Sequence, residues 1–193
     1  MTQIFLPDGR VVPVTEVAAG PCFVTQVKAK DKDGVNAVQI GFAVTTKAIS
    51  KPQAGHLKDL PKLKIMRELS WADDKPEGLK RGDKITAAIF KVGDLITVSG
   101  VSKCKWFQCV VKRHHFHGHP TTHGTKDSVR MPGSIGAGGV QRVFKGMRMA
   151  GHMGFDQVTI KNLEIVGVDG DKNLLQIKGA LPGARGSLLL IKG

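Results

Sequence analysis

Five histidines, His114, His115, His117, His119 and His123, fall within ten residues of the fragment KRHHFHGHPTTHGTKDSVRMPGSIG (112–136), beside lysines, arginines and glycines. Side chains of these types could ligate a metal, carry acid–base or nucleophilic catalysis, or lie on a polyanion. For zinc, Cys104, Cys109, His117 or His119, and His123 loosely follow a Cys-x4-Cys…His-x(3–5)-His spacing. Cysteines five apart point about 140° apart on a helix and to opposite faces of a strand, so one ion could be reached only through an irregular turn. The spacer between the pairs is also short for a zinc finger. Free thiols in an apolar setting and polar loop histidines account for the same residues. No metal ligand is therefore assigned, and a zinc-stabilised nucleic-acid-binding module stands as the alternative.

Catalysis fares no better. The sequence holds no HExxH, GxSxG or Walker pattern. Cys109 could be paired with any neighbouring histidine, and spacing singles out none. PGSIGAGG (132–139) resembles a phosphate-cradling loop but neither follows an apolar strand nor precedes a clear helix. Asp127 is the only carboxylate nearby. No catalytic residue and no cofactor is assigned.

Polyanion binding uses nearly everything present. The chain has 29 Lys+Arg against 16 Asp+Glu, a net +13, which predicts a nucleic acid or an anionic surface as partner. From Val101 to Met153 there are nine Lys/Arg and one acid, a net +8, with six of the seven histidines. The nine are Lys103, Lys105, Lys112, Arg113, Lys126, Arg130, Arg142, Lys145 and Arg148. Without a polyanion these cations would repel one another; on one, each phosphate contact releases counterions. Glycines such as Gly133 and Gly136 let backbone approach a sugar-phosphate chain. Trp106, Phe116, His114 and His117 could stack on bases, as in recognition of irregular RNA. RNA is preferred to DNA because no groove-reading helix motif is visible.

The elements that must position this segment have a different texture. TQIF-PDG-RVVPVTEV is a hairpin signal, since Asp-Gly supplies positive φ in a tight turn. Further strands are expected at CFVTQVKA, NAVQIGFA, KLKIMREL, KITAAIF, DLITVSG, QVTIKNLEIVGV, NLLQIKG and SLLLIKG, with a short helix in KPQAGHLKDL (51–60). Short strands so regularly punctuated predict an antiparallel sandwich or closed barrel. KWFQCVVKRHH could form a brief helix or strand, and from Phe116 to Gly154 neither period persists. Three cysteines, an odd number, suit a reducing compartment. No apolar run of membrane-spanning length and no secretory signal is visible, so neither membrane nor export is expected.

The landmarks MTQIF-PDG-VPVT, KPQAGH (51–56), GVSKCKWF (100–107), VKRHHF (111–116), THGTKDSVRMPGSIG (122–136), VFKGMRMAGHMG (143–154), VTIKNLEIVGVD and NLLQIKGALPG run the length of the chain. Together they closely resemble the family of the third large-subunit ribosomal protein, in its bacterial or organellar form. The resemblance implies a mainly β fold, an antiparallel β-barrel with one or two short helices. From it a long, basic, Gly-rich irregular extension would thread into large-subunit ribosomal RNA toward the peptidyl-transferase centre. It also implies an early role in subunit assembly, neighbouring large-subunit proteins as partners, and a place on the ribosome of a bacterial cytoplasm or an organelle, without catalysis. Residues 1–102 and 154–193 would form the body and 103–153 the arm.

Carried over by position, Lys103 and Lys105 match the Ser-Lys-x-Lys start of the extension. Lys112, Arg113, His123, Arg130 and the run Pro132, Gly133, Ser134, Ile135, Gly136 match its RNA-contacting limb. Lys145, Gly146, Met149, Ala150 and Gly151 match the returning limb, while Lys126, Arg142 and Arg148 join them on charge. Three departures stand out. Cys104 and Trp106 occupy positions where the family has glycine, the histidine enrichment is this chain's own, and AGGVQRVF does not align Gln141 with the glutamine that some members methylate.

Overall fold

The computed structural model describes residues 1–70 and 78–193. Its strands in chain order are β1 (Thr2–Phe5), β2 (Val11–Ala18), β3 (Cys22–Lys28), β4 (Ala37–Val44), β5 (Leu63–Ser70), β6 (Lys84–Ile85), β7 (Leu95–Val101), β8 (Phe107–Gln108), β9 (Gly151–His152), β10 (Gln157–Asp169), β11 (Leu174–Lys178) and β12 (Leu189–Lys192). Three short α-helices accompany them, α1 (Lys30–Asp33), α2 (Lys51–His56) and α3 (Val110–His114). The protein is mainly β, with antiparallel sheets. It divides into two compact units, residues 1–96 with 161–180 and Gly193, and residues 97–160 with 181–192.

In the first unit β1, β2, β11 and β10 lie side by side, and a second sheet runs β5-β4-β3-β6. The hairpin between β1 and β2 closes as its Asp-Gly sequence predicts: Gly9 has φ +80°, its N–H donates to Leu6 O at 2.9 Å, and Leu6 N donates to Arg10 O at 2.9 Å. Alternation along the strands sends Val14, Val24, Leu175, Ile177 and Ile165 inward, each 0% exposed. Burying such side chains stabilises the unit by about 1.5–3 kcal/mol apiece. In the second unit β10, β7 and β12 are neighbours, with Val98 buried from β7.

Two expectations are corrected here. KITAAIF forms only the two-residue β6 and then a 3-10 turn, Ala87–Ile89. Ala87 is fully buried, its N–H donates to Asn173 Oδ1 at 3.3 Å, and paired alanines are poor strand formers. Among the described residues the α-helices number three, one more than expected, because KDKD winds into α1: Lys30 N donates to Asn36 Oδ1 at 2.9 Å and Gly34 closes the end at φ +74°. No helix among the described residues is long and apolar enough to cross a membrane.

A polar chain crosses the β3–β4–β5 sheet. Buried Thr25 donates its hydroxyl to Gln39 Oε1 at 2.7 Å, His56 Nε2 lies 2.7 Å from the same oxygen, and Gln39 Nε2 donates to Glu68 Oε1 at 3.2 Å. Lys28 Nζ meets that carboxylate at 2.6 Å. The Lys28 hydrogen bond, opposed by some desolvation and helped by the Lys28 charge and the Gln39 amide, holds the Glu68 carboxyl below its ordinary value. A depressed carboxyl stabilises the fold above its unfolded-state value and loses that contribution as pH falls through the folded one. Glu68→Gln is therefore expected to lower Tm slightly at neutral pH, with the gap to wild type closing below about pH 4. Thermal melts at pH 7 and pH 3 check this; a gap that stays constant or widens in acid would refute it.

Candidate nucleic-acid interface

The basic segment is not structureless at its base. Two limbs, outgoing and returning, pair through their backbones into a stem. Ser102 N donates to Asp156 O at 2.9 Å, Lys105 N to Met153 O at 2.9 Å, and Met153 N to Trp106 O at 3.0 Å. The β8–β9 pair then sets Phe107 opposite His152 and Gln108 opposite Gly151. Gly154 makes the pairing fit. Its φ is +79°, and a Cβ there would collide with the carbonyl oxygen of Lys103.

Above the stem α3 buries Val110, 2% exposed, and ends at His115 in a left-handed conformation. Its basic face clasps the returning limb. Arg113 Nη1 donates to Met149 O at 2.7 Å, and His114 Nε2 sits 3.1 Å from the same oxygen. The guanidinium lies over Gly151, whose missing side chain leaves it room: a Cβ would stand 3.0 Å from Nη1. The His114 and Phe116 rings are 6.2 Å apart, tilted by 48°. Farther out, His119 N donates to Val129 O at 2.9 Å, and Lys126–Ser128 forms a 3-10 turn.

Every residue from Arg130 to Ala150 is exposed. Apart from the clasp at Met149, local contacts shape this run. Ser134 Oγ donates to Gly136 O at 2.8 Å, Gly133 turns at φ +81°, and Arg142 lies over the Phe144 ring at 5.8 Å. Met131, Phe144 and Val143, 51%, 51% and 43% exposed, face solvent among the cations. The three ion pairs among the described residues, Arg10–Asp8, Lys28–Glu68 and Lys178–Glu164, include none of the nine arm cations.

Of the residues singled out from sequence, Arg113 and His114 come together at Met149. Lys105 donates its backbone N–H within the stem, Lys103 sets its carbonyl against Gly154, and Lys112, His117, His123, Lys126, Arg130, Arg142, Lys145 and Arg148 are exposed. Trp106 is 80% exposed with its backbone at φ +57°. That conformation suits glycine, and holding a tryptophan in it costs about 1–2 kcal/mol. Phe107 and Phe155 are also exposed, 72% and 70%, and Phe155 went unread because a single apolar residue in a loop carries no period. Among the described residues no group of three or more His, Cys, Asp or Glu side chains stands close enough together to hold a metal ion.

The Ribosomal protein L3 family model matches residues 53–180. The chain is similar to the large ribosomal subunit protein uL3 of Herpetosiphon aurantiacus, 47% identical over 99% of this chain and 91% of the relative. It is similar also to that of a Synechococcus, 48% identical over 99% and 90%, and to that of Dehalococcoides mccartyi, 47% identical over 100% and 93%. Identity at this level, end to end and across both the strand-rich units and the basic arm, leaves one conclusion: the chain belongs to the ribosomal protein L3 family.

Proposed function

We propose that the chain is a structural constituent of the large ribosomal subunit that binds large-subunit ribosomal RNA through its arm, reaching toward the peptidyl-transferase centre and acting early in assembly. The observation that carries this reading is the run from Arg130 to Ala150, exposed at every residue, cationic, and studded with apolar side chains that no solvated loop needs. Such a run gains its free energy on a polyanion that also offers apolar faces, which is what irregular RNA presents. In this reading Lys103, Lys105, Lys112, Arg113, Lys126, Arg130, Arg142, Lys145 and Arg148 neutralise phosphate. His123, Gly133, Ser134 and Gly136 allow close approach, and Trp106, Phe116, His114 and His117 supply ring surface.

The body would be 1–102 with 154–193 and the arm 103–153. The Ser102–Asp156 backbone bond at 2.9 Å supports a neck at that point. We infer that the two sheets of the first unit close into the barrel the family resemblance implies. Support comes from Asn173, at the β10–β11 turn, which accepts from Ala87 N beside β6 and from Ala19 N beside β2. Exposed Ile89, Val92 and Leu95, 62%, 66% and 64%, suit a neighbouring large-subunit protein. The role is architectural rather than catalytic, and the location is the ribosome, bacterial or organellar.

Binding of large-subunit ribosomal RNA fragments, titrated against salt with a scrambled RNA beside them, tests the proposal. A log-log slope of about −4 to −7, expected for roughly five to eight phosphate contacts, with preference for the ribosomal fragments supports it. Equal affinity for the scrambled RNA would sink it.

A further inference from the structure

Two histidines on the outgoing limb, His117 and His119, are displayed rather than engaged. Three of the seven imidazoles meet an acceptor: His56 Nε2 lies 2.7 Å from Gln39 Oε1, His114 Nε2 3.1 Å from Met149 O, and His152 Nε2 2.9 Å from Gly154 O. His117 and His119 are exposed, and among the described residues neither ring has a hydrogen-bond partner. The RNA reading gives His119 no task and asks of His117 only ring surface.

The main chain between them is fixed. Gly118 turns at φ +76°, packed so closely on the Val129 carbonyl that a Cβ would collide with its oxygen. His119 N donates to that same oxygen at 2.9 Å, and Pro120 follows with its locked φ. The residue between the two rings is thus pinned beside the 3-10 turn at Lys126–Ser128 and carries no side chain to separate them. Cα atoms two residues apart are separated by at most about 7 Å. Two imidazoles with metal–nitrogen bonds of about 2.0–2.1 Å span that gap.

We propose that His117 and His119 chelate a divalent transition-metal ion of the zinc, nickel or copper class at the surface of the arm. The donors select the ion. Magnesium and calcium take oxygen ligands, and the arm's one carboxylate, Asp127, stands among cations such as Lys126 and Arg130. Imidazole suits zinc, nickel and copper, and it ligates as a neutral ring. No third His, Cys, Asp or Glu gathers with the pair among the described residues, so the remaining positions on the ion fall to solvent. Such an open chelate differs from the closed four-ligand centre of a zinc finger, and the fold does not depend on it. It also stands apart from the RNA reading, since the pair needs no RNA to bind the ion.

Isothermal titration of the full chain, free of any affinity tag, with Zn2+, Ni2+ or Mg2+ alone tests this. Wild type should bind one equivalent of Zn2+ or Ni2+ and no Mg2+. Losing a residue that merely orients a ligand costs about 10–100-fold in metal affinity, so His117→Ala and His119→Ala should each weaken Zn2+ binding by at least about tenfold. His115→Ala, next to the pair but outside it, should bind as wild type does. Tm should be the same in all four proteins, with or without EDTA, because the positions are exposed. A wild type without a stoichiometric Zn2+ site overturns the proposal. Equal loss in His115→Ala overturns it too, by spreading the binding over the whole histidine cluster, and a fall in Tm on chelation does so by making the ion structural. None of these outcomes bears on RNA binding, which the salt titration decides separately.

Discussion

Replacing residues 116–148 with a short Gly/Ser linker is expected to flatten the salt dependence of RNA binding by about 4 in log-log slope and abolish the preference for ribosomal RNA. The body should melt at the wild-type temperature. The geometry dictates the cut. His115 and Met149 are brought together by the α3 clasp, since Arg113 and His114 both meet Met149 O, so a few residues can bridge them. The excised stretch holds Lys126, Arg130, Arg142, Lys145 and Arg148 with the lone Asp127, five of the nine arm cations, and none of its residues is buried. Each phosphate contact contributes about 0.9 to the slope, so five lost cations set the size of the effect. The stem and α3, with Lys103, Lys105, Lys112 and Arg113, stay. A slope that survives the cut would move the main RNA contact onto the body.

What could be read from the sequence, and what could not, follows the range of the interactions. β2, β3, β4, β7 and β11 were legible because a strand buried on one face writes a period of two into its own residues: along β7, Ile96 and Val98 are buried while Leu95 and Thr97 are not. The hairpin at Asp8 and Gly9 and the turn of α2 were legible for the same local reason. KITAAIF misled because a tertiary partner, Asn173, captured the backbone of Ala87. The stem was hidden more thoroughly. Its bonds join Ser102 to Asp156 and Lys105 to Met153 through main-chain atoms, so side-chain type records nothing of them except at the glycines. The arm's charge could be counted from the sequence, but its division into an ordered stem and an exposed run could not.

Gly154→Ala is expected to open the stem while leaving the body intact. At φ +79° an L-residue costs about 1–2 kcal/mol, and the new methyl would also meet the Lys103 carbonyl, a backbone atom that cannot swing away as a long side chain could. Overpacking of that kind adds about 1–3 kcal/mol, for a local cost of about 2–5 kcal/mol. Relief requires moving Lys103 and with it the Lys105 N–Met153 O bond, so exchange of the Lys105 and Met153 amides should speed up by about thirtyfold to several thousandfold. Gly138→Ala is the control: its Cβ would meet nothing within 4 Å, and exchange should not change. RNA binding separates what the stem does from what the arm's charges do. Every cation survives in Gly154→Ala, so the slope against salt should hold near its wild-type value. Affinity should fall at all salt concentrations, because the arm must now be ordered at the moment of binding. A variant that exchanges like wild type would mean the limbs adapt without strain. A variant whose slope flattens as much as the truncated chain's would mean the stem does more than aim the cations.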